Sequence, residues 1–484
     1  MNARTYSLAA LGLLAVGAAS SARHVLAQEP EKPAPVKIIL HPSPETHPAL
    51  KYQLLPPLID RRPGNAVVQY LKVPHEQTRL FADQAFWETL DKWLEMPLDE
   101  LRKDAFGPHK EYAWIAGKQS GIIELLERGG RCESCDWDIP IREHDFYSIL
   151  IPEVQTTRSS GRILAARARL QMANGKWADA VQTLQSGYAL ARNVADAPTL
   201  INGLVGVSIA LQMSDQVETM LQQPGAPNLY WALATLPRPM IDFRRGFEAE
   251  FAEIYLTYPE LRDLDKKDLT AAEWRRLLNK VMTGVLLISA NSNDPMEARF
   301  ALAIRQLEGY PRAKRALIAE GRSAAEVEAM PVPQVTMLYT MHTYEELRDD
   351  TFKWMALPYV QARKGMAESE LRLKKAHGEG LEIVPLATLL LPAVQRVKIA
   401  EARINQKIAA LQVLEALRIY AANHNGRLPQ ALADINEVPV PLDPFLGEPF
   451  HYVRDGSTAR LESPFPDIIP LRYEIQIASE GAKR

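Results

Sequence analysis

Residues 161–221 constrain this chain more than any other stretch. Ile163, Ala166, Leu170 and Ala173 recur at intervals of three and four, which puts them on one face of an α-helix. Asn174-Gly175 then interrupts the pattern, and Gly175 suits the left-handed backbone that ends a helix. A second helix carries Trp177, Ala180, Val181, Leu184, Tyr188 and Ala191 along one face. A third, over 199–221, holds Leu200, Ile201, Leu204, Val205, Val207, Ile209 and Leu211 and has no polar face in its first three turns. Such a helix is expected to be buried. Gly203 and Gly206 weaken it, which is tolerable where a neighbour packs close against them. The stretch therefore predicts a central helical layer on which the rest of the chain packs.

The flanks fit a helical protein with a different tail. Nine prolines fall within residues 28–63, which favours an extended lead; 37–40 and 50–55 each suit a strand or an extended arm. Helical patterns follow over 76–94, 110–128, 145–173 (broken near Pro152), 239–256 and 270–290, and continue to about Lys375. Thr270 with Glu273 and Ser323 with Glu326 are capping boxes, and Asp294-Pro295 reads as a helix start. After a linker at 377–380, one long helix is expected over 393–424, with Val397, Ala400, Ile404, Ile408, Leu411, Leu414 and Leu417 in a stripe. Short β-like runs lie at 450–453, 458–461 and 471–477. The fold class is mainly α, an irregular or solenoid-like helical array with a small C-terminal α+β module. Its segments are 1–27, 28–63, 64–376 and 381–484.

Residues 1–27 read as a secretory signal peptide. Arg4 precedes an apolar run over 8–19, and Val25-Leu26-Ala27 fits the small-residue cleavage rule, with Gln28 as the first mature residue. The run is shorter than the ~20 residues a spanning helix needs. No later stretch is long and apolar enough for a span, so the mature protein is expected to be exported, periplasmic or extracellular, without a stable membrane span. The 56 basic and 59 acidic residues leave a net charge of −3, which points to no nucleic-acid partner.

Leu170, Gly175, Trp177, Ala180 and Leu184 together resemble the tetratricopeptide repeat over about 30 residues, although no second copy follows at that repeat's period. An ordinary helical hairpin is the alternative. Tyr420, Asn425-Gly426 and Pro429, followed by Asp443-Pro444-Phe445, Gly447, Phe450 and Tyr452, are similar to the globular part of type II secretion pseudopilins. That resemblance implies a small α+β module; the prepilin cleavage motif is absent. Some pseudopilins bind calcium in this loop, but Asp443 and Asp455 are too few ligands to carry that over. Cys135-Asp136-Trp137, residues 224–233 and residues 344–350 resemble an uncharacterised family of large exported bacterial proteins, which lends no activity.

The chemistry-bearing residues are sparse. Cys132 and Cys135 are the only cysteines, and in an exported chain a disulfide is the first reading, worth about 2 kcal/mol for so short a loop. Two free thiols, a redox pair and a metal site are the alternatives; Glu133, Asp136 and Asp138 oppose the positive surroundings a reactive thiolate needs. His75 opens a zincin-like phrase that lacks its second histidine. Glu250 and Glu253 share a helix face and suit acid–base work or plain solvation. No hydrolase elbow, phosphate loop or dinucleotide fingerprint is present, so no catalytic residue, metal ligand or cofactor is assigned. Trp177 is the candidate partner-binding residue. The expected function is an exported helical scaffold or partner-binding protein with a protein or peptide partner. A cell-envelope polymer hydrolase using groove carboxylates, or a thiol-redox protein at Cys132 and Cys135, are the rivals.

Overall fold

The computed structural model describes residues 35–117, 120–143, 146, 149, 151, 153–288, 295–463 and 471–478. The expected signal peptide and the Asp294 cap lie outside them. In chain order the main elements are β1 (Val36–Leu40), β2 (Arg62–Asn65), α1 (Ala66–Tyr70), α2 (Gln84–Glu95), α3 (Leu98–Ala105), α4 (Gly121–Gly130) and β3 (Cys132–Ser134). The central layer follows as α5 (Glu153–Ala173), α6 (Trp177–Ala195) and α7 (Leu200–Leu221). Then come α8 (Arg244–Thr257), α9 (Ala271–Ile288), α10 (Pro295–Ala319), α11 (Val332–Phe352), α12 (Tyr359–Gly378) and α13 (Leu386–Asn423). Strands β4 (His451–Asp455), β5 (Thr458–Glu462) and β6 (Arg472–Ile477) close the chain. The protein is mainly helical with a small α+β module, as its periodicity predicts. The chain divides into two compact units. The larger holds Glu31–Ile139, Ile151–Gly246 and Ile399–Arg484; the smaller is built on Phe247–Lys398 with Pro140–Leu150.

In the larger unit α5, α6 and α7 pack on one another, with α2 and α3 against α5 and α4 against α6. The predicted apolar face of α6 is buried at Ala180, Val181, Leu184, Tyr188 and Ala191, while Trp177 at its start is half-buried. Gly175 has φ +68°, which lets the chain reverse between α5 and α6 at no side-chain cost. A Cβ at Gly206 would sit 2.5 Å from the Ala191 carbonyl oxygen, so α7 lies against α6 at a distance only glycine permits. Residues 200–214 include no exposed position, which fits the expected buried third helix.

Two arginines of α5 run against simple amphipathicity. Arg167 and Arg169 are both buried. Arg167 donates to the Ile115 carbonyl at 2.7 Å, to the Gly117 carbonyl, and to Thr183 Oγ1 at 3.1 Å. Arg169 donates to the Trp93 carbonyl at 2.9 Å, to the Met96 carbonyl, and to Thr219 Oγ1 at 3.2 Å. Each satisfies carbonyls that the end of a preceding helix leaves without partners. These ends also account for two departures from the sequence expectation. The pattern over 110–128 is a 3-10 turn, Lys110–Ala116, and then α4, because Gly117 breaks it and Arg167 takes its carbonyls. The pattern over 76–94 is short helical turns followed by α2, which Asp83 caps at 2.9 Å on the Ala85 N–H.

The sheet of this unit runs β1-β6-β5-β4. β4, β5 and β6 are antiparallel, and β1 from the Pro-rich lead pairs parallel with β6, from Val36 opposite Tyr473 to Leu40 opposite Ile477. Ile38, Leu40, Leu461, Tyr473 and Ile475 form its buried face. Residues 399–423 of α13 carry the most deeply buried ion pair among the described residues. Arg418 is 0% and Glu415 1% exposed at the side chain, 2.7 Å apart. Arg418 also donates to the carbonyls of His41 at 2.9 Å, Ala226 at 2.8 Å and Pro227 at 3.2 Å, and Glu415 accepts the Leu229 N–H at 3.1 Å. One side chain thus ties together segments almost 380 residues apart.

The smaller unit is all helical among its described residues. Its core gathers Trp274, Val281, Leu317, Val335, Leu338 and Tyr344 from α9, α10 and α11, with Ile383 and Val384 before α13. Both predicted capping boxes are present: Glu273 accepts the Thr270 N–H at 2.8 Å, and Ser323 and Glu326 cap reciprocally at 3.2 and 2.8 Å.

Candidate functional site

The larger unit holds a groove of about 960 Å³ where three helices end and one begins. α3 supplies Leu98, Asp99, Arg102 and Lys103, and Phe106 caps its end. The turn from α5 to α6 supplies Met172, Asn174, Gly175 and Trp177, and the end of α7 supplies Gln223 and Pro224. The floor is apolar: Met172 is buried and Leu98 half-buried. Phe106 is 52% exposed, and Trp177 is half-buried beside the same space.

The groove keeps its shape because its walls are tied from behind. Arg169 fastens the α2–α3 turn, through Trp93 and Met96, to α5 and to Thr219 near the end of α7. Asn174 Nδ2 caps its own helix at the Leu170 carbonyl, 2.7 Å away, and Gln223 Nε2 does the same at Thr219, 3.1 Å away. The wall is therefore set by buried hydrogen bonds, while the side chains facing the space remain open.

Trp177 and Trp114 are the half-buried tryptophans with no indole hydrogen bond among the described residues, and of the two only Trp177 lines the groove. Trp87, Trp137, Trp231 and Trp354 donate their indole N–H to Phe81, Asn193, Glu45 and Ser369, respectively. Trp177 makes no hydrogen bond, ring stacking or cation contact among the described residues. An aromatic ring with an open polar handle is a frequent anchor in binding surfaces.

The cysteine pair, expected as a disulfide, stands as two free thiols. β3 is extended over Cys132–Ser134. Cys132 Sγ donates to the Arg128 carbonyl at 3.4 Å and Cys135 Sγ to the Asn193 carbonyl at 3.2 Å. Burial raises the Cys132 thiol and pushes Cys135 up to about 12, with Asp196 adding to the second shift. At neutral pH such a thiol is almost wholly protonated, which is the opposite of what attack on a disulfide requires.

The paired carboxylates of α8 are not part of this groove's lining. Glu253 is 4% exposed and Glu250 half-buried. Both lie near Tyr344, whose hydroxyl is raised by burial first and by the Glu253 and Glu250 charges besides. The Arg348 guanidinium stands 4.1 Å over the Phe251 ring and faces Tyr255 and Tyr344. This is a packed aromatic–charge cluster.

A second charged cluster of the smaller unit sits nearer the surface. His342 lies between Glu320, 2.7 Å from Nδ1, and Asp265, 3.0 Å from Nε2; Arg322 also pairs with Asp265. Burial works against the charged ring, but the two carboxylates outweigh it and hold His342 above the ordinary histidine value. Asp443, in the loop before β4, is fully buried and accepts from the Phe445 N–H at 2.8 Å, from Gln406 Nε2 at 3.2 Å and from Ser463 Oγ. Among the described residues no group of three His, Cys, Asp or Glu side chains could hold a metal ion, and no helix is long and apolar enough to cross a membrane.

The sequence pointed to Trp177 but not to its opposite wall. α3 reads as a short polar run, Leu-Asp-Glu-Leu-Arg-Lys-Asp-Ala, whose signal was the pair Leu98 and Leu101 four and one residues before Arg102. No protein-family model, curated protein or solved structure matches this chain.

Proposed function

We propose that the protein is an exported helical scaffold that binds a protein or peptide partner in the groove beside Trp177. The observation that carries this reading is the open aromatic pair, Phe106 and Trp177, over an apolar floor held rigid by Arg169. Partner-binding surfaces concentrate their energy in such anchors. A hydrolase of the same architecture needs accessible carboxylates facing the substrate; among the described lining residues Asp99 is the only acid. The reversal at Gly175 between two packed helices supports the tetratricopeptide-like reading of α5 and α6. A long helix leading to three antiparallel strands supports the likeness of the C-terminal module to pseudopilins. Export rests on residues 1–27, and N-terminal sequencing of the protein recovered from the cell envelope should begin at Gln28.

The functional test uses the full chain as bait for envelope proteins of the cells that make it, beside Trp177→Ala and Phe106→Ala. A partner held by the native chain and lost from both variants is the expected result. Equal retention on all three removes the groove from the account, and release of products from peptidoglycan or a polysaccharide by the purified protein contradicts the scaffold reading.

A further inference from the structure

We propose that the groove takes an extended peptide segment with an acidic side chain close to an apolar anchor. This rests on the docking role proposed above and names the chemistry of the occupant. Three features of the lining converge on it.

The first is charge. Arg102 and Lys103 are exposed, and their side chains make no ion pair or hydrogen bond among the described residues. They stand four and three residues before Phe106, so α3 and its cap place cation and ring side by side along one wall. The end of a helix favours cations, which accounts for their place but leaves their outer N–H groups unused. Against them stands Asp99 alone among the described lining residues. An excess of positive charge beside an open ring complements a carboxylate next to an apolar side chain.

The second is hydrogen-bond polarity. The C-terminal ends of α3, α5 and α7 reach the groove against the N-terminal ends of α3 and α6, so carbonyl ends outnumber N–H ends three to two. Asn174 and Gln223 line the groove and spend their amide nitrogens on their own helices, which leaves their amide oxygens as acceptors without a partner among the described residues. An extended backbone brings N–H donors that suit such acceptors, whereas the interior of a helix has already used its own.

The third is the floor. Leu98, Met172 and Pro224 are aliphatic and flank the two rings. Methionine and leucine adapt to apolar side chains. An acidic polysaccharide would satisfy the cations and the rings but would leave this aliphatic floor against hydroxyl groups, so the peptide is favoured over the glycan.

The test immobilises the full chain and selects from a random library of displayed twelve-residue peptides, with Trp177→Ala and Phe106→Ala as counter-screens. Clones that depend on both rings are expected to carry Asp or Glu within a few positions of Phe, Leu, Ile or Met. A synthetic copy of the strongest should bind at least tenfold more weakly to Arg102→Glu/Lys103→Glu, and to the native chain as salt rises. Arg102→Gln/Lys103→Gln, measured with a melting curve for each variant, separates lost charge from lost fold. Ring-dependent clones that are neutral or basic, or binding indifferent to both double variants, overturn the acidic occupant and leave the docking role standing. Ring-dependent binding of polygalacturonate without any ring-dependent peptide overturns the peptide. If nothing selected depends on either ring, the docking role itself falls.

Discussion

Arg169 and Arg102 lie on helices that pack together, and the fold treats them in opposite ways. Arg169 is buried and spends its guanidinium on two backbone carbonyls and Thr219 Oγ1. Arg102 is exposed beside the groove and has no partner among the described residues. Arg418 extends the first pattern, with three carbonyls and the buried Glu415 around one side chain. Where this chain needs a cation for architecture, it buries the group against helix ends and loops. Arg102 and Lys103 have no such task, and that difference is the reason to assign them a partner.

Breaking the architectural side should have the largest effect. Arg418→Met leaves the Glu415 carboxylate buried without its cation and should cost about 3–5 kcal/mol, read as a lower urea midpoint for the larger unit. A loss below about 1 kcal/mol would mean that the network adjusts and that its role is overstated. Arg169→Met should cost about 2–3 kcal/mol, since it frees the Trp93 and Met96 carbonyls. It should also weaken ring-dependent peptide binding, although Arg169 does not line the groove. If stability falls while affinity is unchanged, the wall does not depend on this tie.

The smaller unit offers an intermediate case, a cation that is half-buried and switchable. His342 is held above its ordinary value by Asp265 and Glu320 against the cost of burial. A raised folded-state pKa stabilises fully below the unfolded value near 6.5 and is lost as pH rises through the folded value. Thermal melts of the smaller unit should therefore decline from pH 6 towards pH 8, by about 1 kcal/mol given half-exposed carboxylates. His342→Gln should flatten that slope, and an unchanged slope would place the titration elsewhere. The smallest effect on stability belongs to the groove itself. Arg102→Gln/Lys103→Gln should change unfolding by less than about 0.5 kcal/mol. A larger loss would make these two residues architectural and erase the contrast.

Periodicity made the central layer legible. Its apolar positions repeat at helical spacing, Gly175 marks the reversal, and Gly206 needs a close neighbour that Ala191 provides. The capping boxes at Thr270 and Ser323 were equally readable, because they depend on residues only three apart. Arg167 and Arg169 were not. An arginine in an amphipathic pattern is assigned to solvent, and nothing local reveals that Ile115, Gly117, Trp93 and Met96 will bring carbonyls to it. The pairing of β1 with β6 was hidden for the same reason: two short β-like runs were visible, but their register depends on contacts more than 430 residues apart in sequence. Half of the groove was legible through Trp177. The other half depends on α3, a short, mostly polar helix that buries only Leu101 and Ala105 and whose approach Arg169 fixes through Met96.

The central claim is that the space between Phe106 and Trp177 is where a partner docks, and site-specific photo-crosslinking tests it most directly. A photoreactive phenylalanine analogue that keeps the ring replaces Phe106 in the full chain, made in its own cells, and in a parallel strain replaces exposed Glu88 of α2. The account predicts a discrete adduct from position 106, absent from position 88 and lost when Trp177→Ala is added. The same adducts from both positions, or an adduct at 106 that survives Trp177→Ala, would contradict it.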